Sequence, residues 1–454
     1  MDQTFMKEKP VLPLVLKMAL PIVLSMLINS LYNIVDSYFV AQWNESAMTA
    51  VSLVFPLQNL ANAVGIGFGV GINAAVAFYL GAERYREADR ASALGVLLSA
   101  VHGVLLAGLC CLFIAPFLRM FTKDEMTVSY GLEYFYVVIA FSPVLTLSLA
   151  FEKILQATGK MVTTMFCMAV GAVANIILDP IFISGLGPIP EMGVMGAALA
   201  TGIGQCLSLL AYLIVFRRAN IPVKIRLGKP TKEKIAFKLY AVGIPASLNM
   251  ALPSFMITLL NAILAAFAET YVLILGVYYK LQTFIYFTVS GIVQGIRPLV
   301  GYNLGAGRKD RVLSIFRLTL LLSIGVMAVG TILCLVIPQQ LMGLFSETDT
   351  TIEAGASALR IISAGFIVSA LSVVISGTFE GLGMGMPSLV ISLLRYLVIV
   401  LIAYLLSLPF GAVGVWHAFW VTELISAILS CLLFFVCFLR KHPKESEPNT
   451  QKTA

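Results

Sequence analysis

Twelve apolar runs, most of them longer than about 20 residues, follow one another along the chain. A helix needs about 20 apolar residues to cross a bilayer core that is about 30 Å thick. Every backbone polar group inside lipid must bond within the protein, so each run has to be a helix. The composition agrees, with 59% hydrophobic and 12% charged residues among 454. We therefore expect an all-α polytopic membrane protein with twelve transmembrane helices, near 14–42, 47–80, 90–118, 130–158, 161–184, 193–217, 236–267, 272–303, 312–344, 354–382, 387–408 and 412–439.

The charge of the connecting loops alternates along the chain. Basic residues concentrate at the N-terminus, after the second, sixth and eighth runs, and in the tail. In the other set of loops the only basic residues are Arg119 and Lys123. Cytoplasmic loops carry the excess of Lys and Arg, so we expect a multi-pass protein of the cell membrane with both termini in the cytoplasm. The net charge of +7 comes from these loops and does not indicate nucleic-acid binding.

The chain also contains two copies of one unit, shifted by 224 residues. Pro21 matches Pro245, and the Leu-Gly-Ala segment at 80–82 matches the one at 304–306. Each unit holds six runs, an even number, so both units enter the membrane in the same sense. We expect two pseudo-symmetric six-helix lobes around a central cleft. The expected parts are an N-terminal lobe (1–218), a cytoplasmic basic linker (219–234), a C-terminal lobe (235–440) and a disordered cytoplasmic tail (441–454).

The first run carries an aspartate, Asp36, at a depth where a charged side chain costs about 2.5–3.5 kcal/mol. Asn29, Asn33 and Asp36 follow an i, i+4, i+7 pattern, which predicts one shared helical face. Such a residue indicates a site for a proton or a metal cation on a transport path. The alternative is that Asp36 sits near the outer end of its span and reaches interfacial water.

The fifth run repeats this chemistry with Asn175 and Asp179, which are one turn apart on a common face and precede Pro180. By depth, Asp36, Asn175, Asp179 and Thr201 fall into one layer in the outer half of the N-terminal lobe. Oxygen ligands suit sodium, and two neighbouring carboxylates suit a shared proton. We predict that these four residues form one cation-coupling site, which is a metal site only if sodium is the coupling ion. The alternative for Asp179 is a helix-end aspartate before a proline.

Two glutamates lie toward the inner ends of their runs. Glu152 precedes Gln156 by one turn, and Glu380 stands at the repeat position of Gln156. We predict that Asn33, Glu152, Gln156 and Glu380 bind the substrate, with the acidic residues attracting cations. The alternative is that the glutamates reach water at the inner surface. Three basic residues in or near the runs receive no partner from the sequence: Lys280, Arg297 and Arg395.

Several other classes of function have no support in the sequence. There is no P-loop lysine motif, nucleophile elbow or metal-ligand cluster, so neither an ATP-driven pump nor a membrane hydrolase is indicated. We expect no enzyme activity and no cofactor beyond a coupling H+ or Na+. The alternating glycines at 65–71 lack a surrounding βαβ unit and favour close helix packing over a backbone-lined substrate path.

Together these features resemble the multidrug and toxic compound extrusion (MATE) family, and within it the bacterial MepA-like branch. The resemblance covers about residues 10–440 and rests on Pro21, Asp36, 78–82, Asn175, Asp179, 196–201 and 301–306. It implies export of lipophilic cationic compounds by alternating access, driven by inward flow of protons or sodium ions. It also implies that Asp36 and Asp179 carry the coupling cation. Some relatives use an acidic residue in the seventh run, but residues 245–267 of this chain contain none.

Two other classes stay open at this point. A flippase for lipid-linked oligosaccharides shares the superfamily architecture, but it predicts more cleft arginines and often two extra spans. A membrane receptor or scaffold needs neither the repeat nor the buried acids. We expect a monomer whose partners are small cationic lipophilic substrates and membrane lipids, and no nucleic acid.

Overall fold

The computed structural model describes residues 3–226 and 234–440, and its regular elements are helices. Part of the expected linker (227–233) and the expected tail (441–454) lie outside these ranges. The first helices are α1 (Phe5–Glu8), α2 (Val11–Trp43), α3 (Glu45–Gly81), α4 (Tyr85–Phe121), α5 (Glu125–Ala140), α6 (Ser142–Ala157), α7 (Met161–Ser184) and α8 (Gly193–Arg218). The others are α9 (Ile235–Ala265), α10 (Glu269–Gly305), α11 (Lys309–Val336), α12 (Pro338–Gly343), α13 (Asp349–Ser363), α14 (Phe366–Gly381), α15 (Gly385–Leu393), α16 (Ile399–Phe410) and α17 (Ala412–Phe434). Two π-helical segments, Leu394–Val398 and Phe435–Leu439, extend α15 and α17.

Ten helical stretches in the described ranges are long and apolar enough to cross a membrane. The count reaches the expected twelve if each of two bent pairs is one span: α5 with α6, bent by 45°, and α13 with α14, bent by 51°. The first break falls at Phe141, just before Pro143, which lacks the N–H that a continuous helix needs. The predicted runs at 130–158 and 354–382 are therefore bent, which hydropathy alone does not reveal.

Short turns join consecutive antiparallel helices at two faces of the bundle. We call the face that carries Gln3 and Arg440 the terminal face, and the opposite one the far face. The terminal face also holds the turns at 82–84, 158–160, 306–308 and 382–384. The far face holds the turns at 122–124, 185–192 and 266–268, where Asp124 caps α5 by accepting from the backbone N–H groups of Met126 and Thr127.

The two lobes, α2–α8 (N-lobe) and α9–α17 (C-lobe), meet through contacts that obey the same shift of 224 residues. A Cβ atom added at Gly81 would lie 1.9 Å from the carbonyl oxygen of Tyr302. One added at Gly305 would lie 2.1 Å from the carbonyl oxygen of Phe78. Gly305 and Tyr302 are the repeat mates of Gly81 and Phe78. The contact is reciprocal, as two copies related by a two-fold axis require.

The glycines at 65–71 pack α3 on two sides. Added Cβ atoms at Gly67 and Gly71 would collide with the backbone of α9, at 2.3 Å and 2.2 Å. Those at Gly65 and Gly69 would collide with side chains of α6, at 2.8 Å and 2.7 Å. The predicted helix-packing role of this motif is therefore confirmed. Because these residues lie in the half of α3 nearer the terminal face, that half is where the lobes are pressed together.

The N-terminal segment links the lobes at the terminal face. The carbonyl oxygen of Met6 accepts hydrogen bonds from Asn303 Nδ2 and Arg311 Nε in the C-lobe, both at 3.1 Å. The side chains of Phe5 and Met6 lie against Gly159 in the N-lobe. Met6 is fully buried as a result.

Candidate cation site and substrate cavity

Four polar residues from three helices lie together inside the N-lobe: Asp36 of α2, Asn175 and Asp179 of α7, and Thr201 of α8. Each is at most 9% exposed. Asn175 Nδ2 donates to Asp179 Oδ1 at 3.1 Å and to Thr201 Oγ1 at 3.3 Å. Asp36 is close enough to Asp179 for the two charges to interact. We call these four residues the acidic cluster; they are the residues that the sequence predicts for cation coupling.

Three oxygens of the acidic cluster have no hydrogen-bond partner among the described residues: Asp36 Oδ1, Asn175 Oδ1 and Asp179 Oδ2. Buried acceptors almost always find a donor, and an unpaired carboxylate oxygen in a protein interior is costly. A proton or a hard cation such as sodium would satisfy these atoms, because both bind oxygen. The part of the chain that the structure describes contains no group of three or more His, Cys, Asp or Glu side chains that could hold a metal ion.

Close packing of α7 on α8 fixes the position of the acidic cluster. A Cβ atom added at Gly204 would lie 2.7 Å from the carbonyl oxygen of Gly171 and 3.4 Å from the Cβ atom of Asn175. On the other side, one added at Gly196 would lie 2.5 Å from the carbonyl oxygen of Phe182. These contacts bracket the cluster, so its helices are held at a spacing that only glycine permits.

Two tyrosines that the sequence does not assign to the site surround the acidic cluster. Tyr32 and Tyr134 both interact electrostatically with Asp36 and Asp179. Tyr32 precedes Asp36 by one turn of α2, so helical spacing could have predicted that the two side chains are neighbours. Tyr134 reaches the cluster from α5, which no local pattern indicates.

The predicted shared face of the α2 polar residues is split in the structure. Asp36 is buried, whereas Asn29 and Asn33 are exposed, and Asn33 Nδ2 donates to the backbone oxygen of Asn29 at 2.7 Å. The structure therefore does not bring Asn33 into the acidic cluster. Its role in substrate binding stays a prediction.

Glu152 and Gln156 belong to a buried network centred on Lys153. Lys153 Nζ donates to Glu152 Oε1 at 2.8 Å and to Gln156 Oε1 at 3.1 Å, and Gln156 Nε2 donates to Glu152 Oε1 at 2.8 Å. Lys153 Nζ also lies 3.5 Å from Oε1 of Gln294 in the C-lobe. We call these four residues the Lys153 network. Glu152 is 8% exposed, so it is neutralised by an adjacent cation inside the lobe and does not reach water.

A cavity of about 490 Å³ lies mainly in the C-lobe, with Met26 and Val70 of the N-lobe completing its wall. Glu380 lines it and forms an ion pair with Arg297, while Asn249 Nδ2 donates to Glu380 Oε1 at 3.1 Å. Glu380 is 4% exposed, so it too is buried and paired.

A second ion pair lines the same cavity. Arg395 Nε donates to Glu423 Oε1 at 2.7 Å, and Arg395 Nη2 donates to the Tyr286 hydroxyl at 3.2 Å. Two of the three basic residues that the sequence left without partners are thus ion-paired. The third, Lys280, lies 5.5 Å from the centre of the Phe345 ring.

Known proteins match this chain over most of its length. The MatE family model matches the chain twice, over residues 21–181 and 245–405. The chain belongs to the MatE family. Its relatives include the multidrug export protein MepA of Staphylococcus aureus strain N315, which is 25% identical over 95% of each chain.

Solved structures of MatE-like fold match nearly the whole chain. One is described as MATE in the bent conformation, with a TM-score of 0.90, 24% identity, and coverage of 96% of this chain and 97% of that chain. Another is described as the outward-facing conformation of a multidrug resistance MATE family transporter, with a TM-score of 0.88, 24% identity, and coverage of 96% and 98%. The expected fold class is confirmed: an all-α polytopic membrane protein of two lobes.

The two MatE matches also bear on the internal repeat. They begin at residues 21 and 245 and end at residues 181 and 405, so both ends are 224 residues apart. That is the shift found in the sequence and in the lobe contacts. The relatives are described as transporters and export proteins, and the expected multidrug efflux family is confirmed.

Proposed function

We propose that this MatE protein is a cation-coupled antiporter that exports lipophilic cationic compounds by alternating access, in exchange for inward-moving protons or sodium ions. The observation that carries the proposal is the buried acidic cluster, in which three oxygens have no donor among the described residues. Two carboxylates that interact inside a low-dielectric lobe repel each other, and a shared proton or cation removes that repulsion. The cluster is thus suited to bind and release a cation.

The two candidate ions make different demands on the acidic cluster. Sodium would be held by oxygens of Asp36, Asn175, Asp179 and Thr201, a donor set of the hard type that alkali and alkaline-earth cations prefer. A proton needs only one carboxylate oxygen and leaves the amide and hydroxyl as supporting groups. We assign cation coupling to the same four residues in both cases, and metal binding to them only in the sodium case.

Helix α2 offers a physical route from the acidic cluster to the lobe interface. Pro21 lies inside α2 and removes one backbone hydrogen bond, and Ser25 Oγ donates to the Pro21 carbonyl at 2.8 Å. Both features favour helix bending. Solved relatives are described in a bent and in a straight conformation. We infer that neutralising Asp36 shifts the bend of α2, which changes how α2 packs against the C-lobe.

The C-lobe cavity is the proposed substrate site. It is lined by aromatic side chains that suit flat lipophilic cations, including Tyr278, Tyr286 and Phe419. Glu380 lines it directly. Glu152 and Gln156 act on it through the Lys153 network, which includes the lining residue Gln294. Asn33, which is exposed on α2, is assigned to substrate binding as part of the same proposal.

The remaining expectations are kept as part of the proposal. The protein would act as a monomer in the cell membrane, in contact with lipids, with both termini and the terminal face in the cytoplasm. The basic loops of the terminal face support this orientation. Nucleic acid and cofactors other than the coupling ion have no part in the proposed cycle.

Ethidium efflux from cells expressing the protein tests the proposal. The parent should lower cellular ethidium, and an imposed inward proton or sodium gradient should accelerate the efflux. Asp36→Asn should abolish the response to the gradient, whereas Glu269→Gln, which neutralises an exposed carboxylate at the far face, should keep it. A parent that exports no ethidium, or an Asp36→Asn variant that responds fully to both gradients, would contradict the proposal.

A further inference from the structure

We propose that the C-lobe cavity selects aromatic cations that carry N–H donors over aromatic cations of the same charge that lack them. This inference rests on the proposed function, because it names the class of substrate that the cavity prefers. It starts from the charges that line the cavity. Those side chains are Arg297, Arg395, Glu380 and Glu423, and each arginine is paired with a glutamate.

Net charge therefore does not explain how this cavity would recognise a ligand. The two positive and two negative side chains cancel, so a cation gains little from long-range attraction. Recognition has to come from the aromatic walls and from hydrogen bonds. A volume of about 490 Å³ is within the range of pockets that enclose ligands of several fused rings.

The polar atoms of the cavity walls are unbalanced toward acceptors. Four lining residues have a buried side-chain oxygen with neither a hydrogen bond nor an ion pair in the described ranges: Glu423 Oε2, Asn249 Oδ1, the Tyr279 hydroxyl and the Ser372 hydroxyl. The first two are acceptors only, since the Asn249 amide donates its Nδ2 to Glu380 and Ser388. Among the unpartnered lining atoms of the described residues, Arg297 Nε is the one that can only donate, and the two hydroxyls can either donate or accept. A ligand that donates hydrogen bonds satisfies this surplus, and one without N–H groups leaves it unpaired.

Glu423, one of the two acceptor-only residues in the cavity wall, is held in place by Arg395. The guanidinium carbon of Arg395 lies 5.5 Å from the ring centre of Tyr286 and 5.7 Å from that of Tyr396. Arg395 Nε donates a hydrogen bond to Glu423 Oε1. Glu423 Oε2 remains without a partner. Arg395 stands in the π-helical segment Leu394–Val398, and π-helical turns are frequent at functional sites. Arg395 therefore acts as a positioning residue for Glu423.

The test compares two dyes of equal charge and ring system. Ethidium carries two aromatic amines, and 5-ethyl-6-phenylphenanthridinium is the same cation without them. Affinities would be measured by fluorescence titration with the purified full chain in detergent. Hydrogen bonds to charged acceptors are worth enough to predict an affinity for ethidium about tenfold higher than for the amine-free dye.

Three cavity variants should lower this affinity ratio toward one: Glu423→Gln, Tyr279→Phe and Ser372→Ala. Glu423→Gln also removes the ionic partner of Arg395 and can impair folding. Tyr279→Phe and Ser372→Ala each delete only a hydroxyl without a partner, so the fold loses no bond. Ser323→Ala is the matched control, because Ser323 is as fully buried as Ser372, also has an unpartnered hydroxyl, and does not line the cavity.

Equal affinities of the parent for the two dyes would overturn the inference, as would a ratio that survives in the Tyr279→Phe and Ser372→Ala variants. A loss of the ratio in Ser323→Ala would also overturn it. Efflux from cells separates this result from the proposed function. A parent that exports both dyes but binds them equally keeps the proposed function and loses this inference, whereas a parent that exports neither loses both.

Discussion

Asn175 donates a hydrogen bond to Asp179 at 3.1 Å across one turn of α7, and its own amide oxygen has no donor among the described residues. The orientation of the amide follows from its neighbours, because Nδ2 faces two acceptors, Asp179 and Thr201. Asn175 thus uses its donor to hold the carboxylate in place and leaves an acceptor within the acidic cluster. In the proposed function, this amide would support cation binding and would not compete with it.

The glycine contact between α7 and α8 gives a prediction about the geometry of the site. Gly204→Ala should destabilise the protein by about 1–3 kcal/mol, because its methyl group would lie 2.7 Å from the Gly171 carbonyl oxygen. Gly276→Ala is the control, since nothing lies within 4 Å of its added Cβ atom, and it should stabilise α10 by up to about 1 kcal/mol. Thermal unfolding in detergent measures both. A Gly204→Ala variant as stable as Gly276→Ala would show that this packing does not fix the cluster.

The Lys153 network gives a prediction about buried charge. Lys153→Met should destabilise the protein by about 3–5 kcal/mol, because Glu152 would keep its charge in the lobe interior without a cationic partner. Adding Glu152→Gln to Lys153→Met should recover part of that loss, since the unpaired charge is then removed. A double-mutant cycle of unfolding free energies measures the coupling. Strict additivity of the two single changes would exclude the ion pair.

Much of the acidic cluster was predictable, because its evidence is local. A charged residue in an apolar run is rare enough to mark Asp36 and Asp179, and helical spacing and depth then bring in Asn175 and Thr201. The pairings of the basic residues were not predictable. Arg395 and Glu423 are 28 positions apart and belong to different helices, so only the packed lobe shows that they meet.

The charge around the predicted substrate residues was also not predicted correctly from the sequence. Glu152 and Glu380 were predicted as an acidic lining for cations, but Lys153 and Arg297 neutralise them in the structure. Lys153 is adjacent to Glu152 in sequence, and its bonds to Glu152 and Gln156 lie within α6, so this pairing had a local signal. Only its contact with Gln294 depends on how α6 packs against α10. Hydropathy predicts the apolar runs at 130–158 and 354–382, but it does not show that each of them is bent.

The orientation of the terminal face gives a third prediction. Single cysteines would be placed at Arg308, in a basic turn of the terminal face, and at Glu347, at the far face, in a background without the seven native cysteines. Both positions are exposed. Because basic loops stay in the cytoplasm, an impermeant thiol reagent added to whole cells should label only Glu347→Cys. Equal labelling, or labelling of Arg308→Cys alone, would rule out this orientation.

The central claim is that the acidic cluster binds the coupling ion, and linkage makes it testable on purified protein. If cation and drug favour different states of the transporter, each lowers the affinity for the other by the same factor. The direction follows from the sign of the coupling: drug affinity should fall as the proton or sodium concentration rises. The cluster is the group that must carry this dependence, so neutral variants should lose it.

The most direct measurement is ethidium affinity as a function of pH and of sodium concentration for the parent, Asp36→Asn, Asp179→Asn and the control Glu269→Gln. We expect the affinity of the parent and of Glu269→Gln to fall at least about fivefold as one of the two ions is raised through its working range. Asp36→Asn and Asp179→Asn should bind ethidium with an affinity that neither ion changes. A parent affinity that ignores both ions, or aspartate variants that keep the full dependence, would contradict the assignment of the acidic cluster as the coupling site.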